Sequence, residues 1–164
     1  MAERSVRARY AGGSRFELST GTGHAMVIDD GIGNGGPRPT EALLASLAAC
    51  AAMDVAALLA KKRQPFTAYA VEARGTQQAG YPQIFTWIEL LHVVHGPRIN
   101  DAAVRRSIEL SATKYCPISA MVSAGPTEIH HRYRIHDTSR EPAETREGDV
   151  TVTGPNTPMW AAQS

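Results

Sequence analysis

The most reactive groups this sequence offers are two sulfur atoms, on Cys50 and Cys116. Cys50 sits in an Ala- and Leu-rich stretch, where a free cysteine can serve simply as a small packing hydrophobe. Cys116 directly precedes Pro117, which places it at the N-cap of a helix whose free amides and dipole favour a thiolate. Lys114 adds a nearby positive charge, so the expectation at Cys116 is a reactive thiol of low pKa. Neither cysteine has a C-x-x-C partner or a histidine at ligand spacing, so neither a metal site nor a cofactor is expected.

Other candidates carry less. His130 and His131 point to opposite faces of their strand and cannot share one metal, and His92 and His95 also differ in parity. Gly31-Ile32-Gly33-Asn34-Gly35-Gly36 matches the dinucleotide fingerprint G-x-G-x-x-G. In a true fingerprint the helix opens within the glycine run, whereas here Pro37, Arg38 and Pro39 intervene. Dinucleotide binding is therefore not expected.

Composition sets the class. At 164 residues and 17.6 kDa the chain has length for one domain. Seventeen Lys and Arg against sixteen Asp and Glu leave a charge of +1, too weak a field to argue for nucleic acid or an anionic membrane. The N-terminus lacks the basic and apolar regions of a secretory signal, so a cytoplasmic location is the expectation. Residues 42–60 approach membrane-spanning length but carry Asp54 near their centre, which predicts a helix buried in protein.

The elements that must hold the two sulfurs follow from periodicity and turn residues. Residues 5–10, 15–19 and 24–29 read as an antiparallel meander, and residues 30–39 as a Gly- and Pro-rich loop. Thr40 as N-cap and Glu41 in the first turn predict a long helix over 41–62, apolar nearly all round. Strands are predicted at 66–75 and 84–95, then a helix capped by Asn100 or Asp101 that stops before Pro117. A short helix over 117–124 and a strand over 128–135, with Ile129, His131, Tyr133 and Ile135 facing the core, complete a domain over 1–136. The polar, Pro-bearing residues 137–164 predict a flexible tail.

Three segments together resemble the OsmC/Ohr family, the osmotically inducible and organic hydroperoxide resistance proteins. They are residues 23–29 with the Gly-rich loop that follows; Pro39-Thr40-Glu41-Ala42-Leu43-Leu44 with Leu47-Ala48-Ala49-Cys50 and Asp54-Val55; and residues 108–119 around Cys116. The resemblance covers residues 5–136. It implies an α+β fold, with antiparallel sheets wrapped around a long central helix in an intertwined homodimer. It also implies a thiol peroxidase for organic hydroperoxides, in which Cys50 is peroxidatic and Cys116 resolving. Arg15, or Arg38 in its place, would stabilise the thiolate and Glu41 would orient that Arg. An external dithiol, in parts of the family a lipoylated protein, would be the reductant. The Thr-Glu-Ala-Leu-Leu and Asp54-Val55 residues look closer to the OsmC-like branch, for which a redox-sensing or ligand-binding stress protein is the alternative.

Overall fold

The computed structural model describes residues 3–152, which divide into two compact units meeting at Ala45/Ser46 in the chain. The smaller unit opens with β1 (Val6–Tyr10), β2 (Phe16–Thr20) and β3 (Ala25–Ile28), paired antiparallel in that order. Tyr10 faces Phe16 across the first turn, with ring centroids 5.7 Å apart. Gly12 and Gly13 adopt φ of 105° and 58°, backbone that only glycine reaches without strain.

The loop after β3 explains its glycines without any nucleotide. A Cβ on Gly31 would collide with the Arg38 guanidinium, one on Gly35 with that of Arg15, and one on Gly36 with the Val27 backbone. The glycines thus let two guanidinium groups and a strand lie directly against the loop backbone. Asp29, buried at 3% exposure, accepts bonds from the Asp30 and Gly35 amides at 2.8 and 3.0 Å and from Arg15 Nε at 3.2 Å. These amides, with Arg15, hold its carboxyl below the usual carboxylate range.

The loop ends in α1 (Pro39–Lys61), which starts two residues before the predicted boundary. Arg38, not Thr40, occupies the N-cap: its carbonyl accepts the Ala42 amide at 2.9 Å, and its own amide donates to Glu41 Oε2 at 2.8 Å. Pro39 suits the first helical position because it has no amide to leave unpaired, and Glu41 closes the capping box. At the other end the Gln64 amide reaches Leu59 O and the Arg63 amide reaches Ala60 O, with Arg63 at φ 55°. That is a Schellman termination with arginine in the left-handed position.

In the larger unit, β4 (Ala68–Gln77), β5 (Phe85–Gly96), β6 (Glu128–Asp137) and β7 (Glu144–Val150) form one sheet in sequence order. The sheet departs from expectation in two ways. First, the sheet is not purely antiparallel, because β5 and β6 run parallel. Parallel neighbours need a crossover. The chain supplies it through α2 (Asp101–Leu110), a π turn over Ser111–Tyr115 and α3 (Pro117–Ser123).

Second, the expected tail contains β7, paired antiparallel with β6. Of its residues only Val150 is buried, so hydrophobic patterning gave no signal. Charge pairs and a close backbone approach hold it instead. Arg132 meets Asp149 at 3.1 Å, Arg134 meets Glu147, and Arg146 bridges Asp101 at 2.8 Å and Asp137 at 3.2 Å. Gly148 lies against the ring of its register partner Tyr133, where a Cβ would come within 2.6 Å of the hydroxyl. The rest of that expected tail, residues 153–164, lies outside the described residues.

The core of this unit joins Val55 and Leu59 of α1 to Val94, Ile99, Val104, Ile108, Tyr133, Ile135 and Val150. The helix is long and apolar enough to span a membrane, but Leu47, Ala51, Val55 and Leu59 form a buried stripe along it. Other apolar positions stay open, Met53 at 70% exposure among them. Leu59→Ala should therefore cost about 3 kcal/mol by opening a cavity in a packed core. Met53→Ala should change the stability of a single chain by less than about 0.5 kcal/mol. Equal losses in urea unfolding would contradict this placement of the core.

Candidate functional site

The two cysteines come from different helices. Cys50 lies in the fourth turn of α1, half-buried, with Asp54 one turn further on. Cys116 is the N-cap of α3 and only 3% exposed. A π turn brings it there: the Cys116 amide bonds to Ser111 O, five residues back, at 2.9 Å. This wider turn was not anticipated, since no residue type marks it, and π turns concentrate at functional sites.

Cys50 Sγ, Cys116 Sγ and a carboxylate oxygen of Asp54 all lie within 4.8 Å of one another. Ser111 Oγ donates to Asp54 Oδ2 at 3.0 Å, and the Ser119 amide donates to Cys116 Sγ at 3.3 Å. The two cysteines expected to act together are thus close in space. The expected low pKa of Cys116 is absent. Burial, followed by the hydrogen-bonded Cys50 thiol, pushes Cys116 up to about 12, against the smaller opposing effect of the helix amides. Desolvation of a thiolate outweighs one N-terminal turn, and the Lys114 ammonium sits over the Tyr115 ring at 5.3 Å.

Arg15 and Glu41 belong to the smaller unit. There Arg15 pairs with Asp29, while Glu41 is committed to the cap of α1 through the Arg38 amide. Arg38 packs against Gly31.

Sequence reasoning missed a line of polar groups on the core side of the large sheet. Tyr69 Oη and His92 Nδ1 are 2.7 Å apart, and the His92 ring stacks on His131 with centroids 5.9 Å apart. Burial first, and then the charge of Asp54, holds the Tyr69 hydroxyl well above the usual tyrosine range. His92 Nε2 and His131 Nδ1 have no hydrogen-bond partner among the described residues. Burial, helped for each by a neighbouring histidine, lowers His92 to about 3 and His131 to about 4. The parity of these residues was legible, but their joint burial was not, because β5 and β6 meet only through the crossover.

The profile of the OsmC-like protein family matches residues 31–132, most of the chain and both cysteines. The chain belongs to the OsmC family. Protein YhfA of Escherichia coli K12 is 33% identical over 130 residues, covering 79% of this chain and 96% of YhfA. The OsmC-like protein of Mycoplasma pneumoniae superposes with a TM-score of 0.72 at 15% identity, over 82% of this chain and 97% of that one. An organic hydroperoxide resistance protein OsmC of Legionella pneumophila gives 0.61 at 14% identity, over 82% and 97%. At those identities the two structures show that the OsmC fold is shared.

Two outcomes should follow from this geometry. At neutral pH iodoacetamide should label Cys50 at least about 10-fold faster than Cys116, whose thiol keeps its proton. Replacing the neighbour, Cys50→Ala, should speed the reaction of Cys116; faster labelling of Cys116 in the unaltered chain would contradict the assignment.

The histidines give a pH window. Their folded values lie below the ordinary 6.5, so between pH 6.5 and about 4 the unfolded chain binds protons that the folded chain refuses. Stability should fall as pH falls through that window. Urea midpoints of His131→Gln should show a shallower slope, and an unchanged slope would mean that the ring is not held neutral.

Proposed function

We propose that this OsmC-family chain is a cytoplasmic, homodimeric thiol peroxidase that reduces organic hydroperoxides, and hydrogen peroxide less well. The observation that supports this most directly is the meeting of Cys50 Sγ and Cys116 Sγ within 4.8 Å while both are free thiols. Cys50 is the more accessible and takes the peroxidatic role. Its thiolate attacks one peroxide oxygen, an S–O bond forms as the O–O bond breaks, and the alcohol leaves after protonation. Cys116 then attacks the sulfenic sulfur, expelling water and closing the disulfide. An external dithiol, such as a lipoylated protein, restores both thiols by exchange and carries the electrons away as its own disulfide.

Arg15, with Arg38 as the alternative cation, would stabilise the Cys50 thiolate, and Glu41 would orient the Arg. In this reading the Asp29 carboxylate shares that orienting role, since it already holds Arg15. The second copy of the chain would cover the open apolar positions of α1, including Met53. A redox-sensing protein that oxidises without turning over is the second reading. It draws support from the raised Cys116 thiol, which would resolve a sulfenic acid slowly.

Hydroperoxide consumption with excess dithiol separates the two. The chain should turn over many equivalents, Cys50→Ser should fall to the buffer rate, and Cys116→Ser should cycle more slowly. Loss of a single equivalent without cycling would favour the sensor. Sedimentation should give a dimer that Met53→Arg weakens, and a stable monomer would rule the homodimer out.

A further inference from the structure

Asp54 has no part in the cycle proposed above, yet it stands with both sulfurs. A carboxylate beside two thiols is unfavourable for forming thiolates, because each new negative charge meets one already there. It is a suitable arrangement for a cation. We infer that the reduced chain binds one thiophilic divalent ion of the zinc class between Cys50 Sγ, Cys116 Sγ and the Asp54 carboxylate.

The donor set is two soft sulfurs and one oxygen, the ligand types that zinc takes in tetrahedral sites. Ligand distances of about 2.0–2.3 Å require donors about 3.3–3.8 Å apart around such an ion. Cys50 Sγ, Cys116 Sγ and the Asp54 oxygen lie within 4.8 Å of one another, so side-chain adjustments of about an ångström close the site. The supporting contacts of a built metal site are also present. Ser111 Oγ fixes the carboxylate through Oδ2 at 3.0 Å, and the Ser119 amide fixes the sulfur of Cys116 at 3.3 Å. Three protein ligands leave the fourth tetrahedral position for water.

Binding replaces two thiol protons by one M2+, releasing two H+. Two thiolates and a carboxylate against a divalent ion leave one net negative charge, where the bare thiolates and carboxylate would carry three. The ion occupies both sulfurs, so it competes with hydroperoxide for them, and a Cys50–Cys116 disulfide would abolish the site. The inference does not depend on peroxidase turnover: it needs only two reduced thiols and Asp54.

The test is titration of the reduced, chelator-stripped full-length chain with Cd2+, following the ultraviolet cadmium–thiolate absorption, with Zn2+ as competitor. One equivalent should bind with the amplitude of two thiolates, and Zn2+ should displace it. Cys50→Ser and Cys116→Ser should each halve the amplitude and weaken binding at least about 10-fold. Asp54→Asn keeps an acceptor for Ser111 and both thiols, and it should keep the full amplitude while binding about 10-fold more weakly. The inference is overturned if a chain with two titratable thiols gives no absorption, if Cys116→Ser keeps the full amplitude, or if Asp54→Asn binds as tightly as the parent. Ion binding without hydroperoxide turnover would fail the function proposed above and leave this site standing; turnover without ion binding would do the reverse.

Discussion

Everything chemical in this chain depends on one geometric constraint, the π turn that carries α2 into α3. An ordinary helical turn would pair each amide with the carbonyl four residues back; here the Cys116 amide reaches Ser111 O five residues back. The wider turn ends the helix with Cys116 in extended backbone at the cap of α3, its sulfur near that of Cys50. The same turn places the Ser111 hydroxyl on Asp54. One backbone irregularity therefore brings both sulfurs and the carboxylate together. Pro117, which cannot continue it, follows directly on Cys116.

Around this point burial decides protonation. Cys116 stands at a helix N-terminus, the place where a thiolate is best stabilised, and still holds its proton because desolvation is the larger effect. Tyr69, His92 and His131 follow the same rule and stay neutral on the core side of the sheet. The row of Tyr69, His92 and His131 is thus polar without being charged. Changes at the thiols that add negative charge must be met by a counter-charge. In the proposed peroxidase reading Arg15 or Arg38 would supply it, and in the proposed metal-bound state the ion would.

The sequence displayed some of this and hid the rest for physical reasons. The meander, the long apolar helix, a cap at Asn100 or Asp101 and the Cys116-Pro117 junction were legible because periodicity, turn glycines and capping chemistry are local. The core face of β6 was legible from alternation alone, and Ile135, Tyr133 and His131 are buried as expected. The strand β7 was not, because Arg132, Arg134 and Arg146 hold it by charge and only Val150 packs. The parallel pairing of β5 and β6 was hidden because it depends on where a crossover returns. The cluster of Cys50, Asp54 and Cys116 was hidden for the same reason, since one i,i+4 pair meets a residue far along the chain. Family resemblance supplied the pairing of the cysteines; it did not supply Ser111, Tyr69 or the buried histidines.

The central claim is that Cys50 and Cys116 form one redox site. Intact-mass analysis of the reduced chain before and after one equivalent of an organic hydroperoxide, with peptide mapping, addresses it without knowledge of the reductant. The account predicts rapid loss of two hydrogens, mapped to a Cys50–Cys116 disulfide within one chain. An unchanged mass, or slow oxygen addition at one thiol with the other still free, would contradict it.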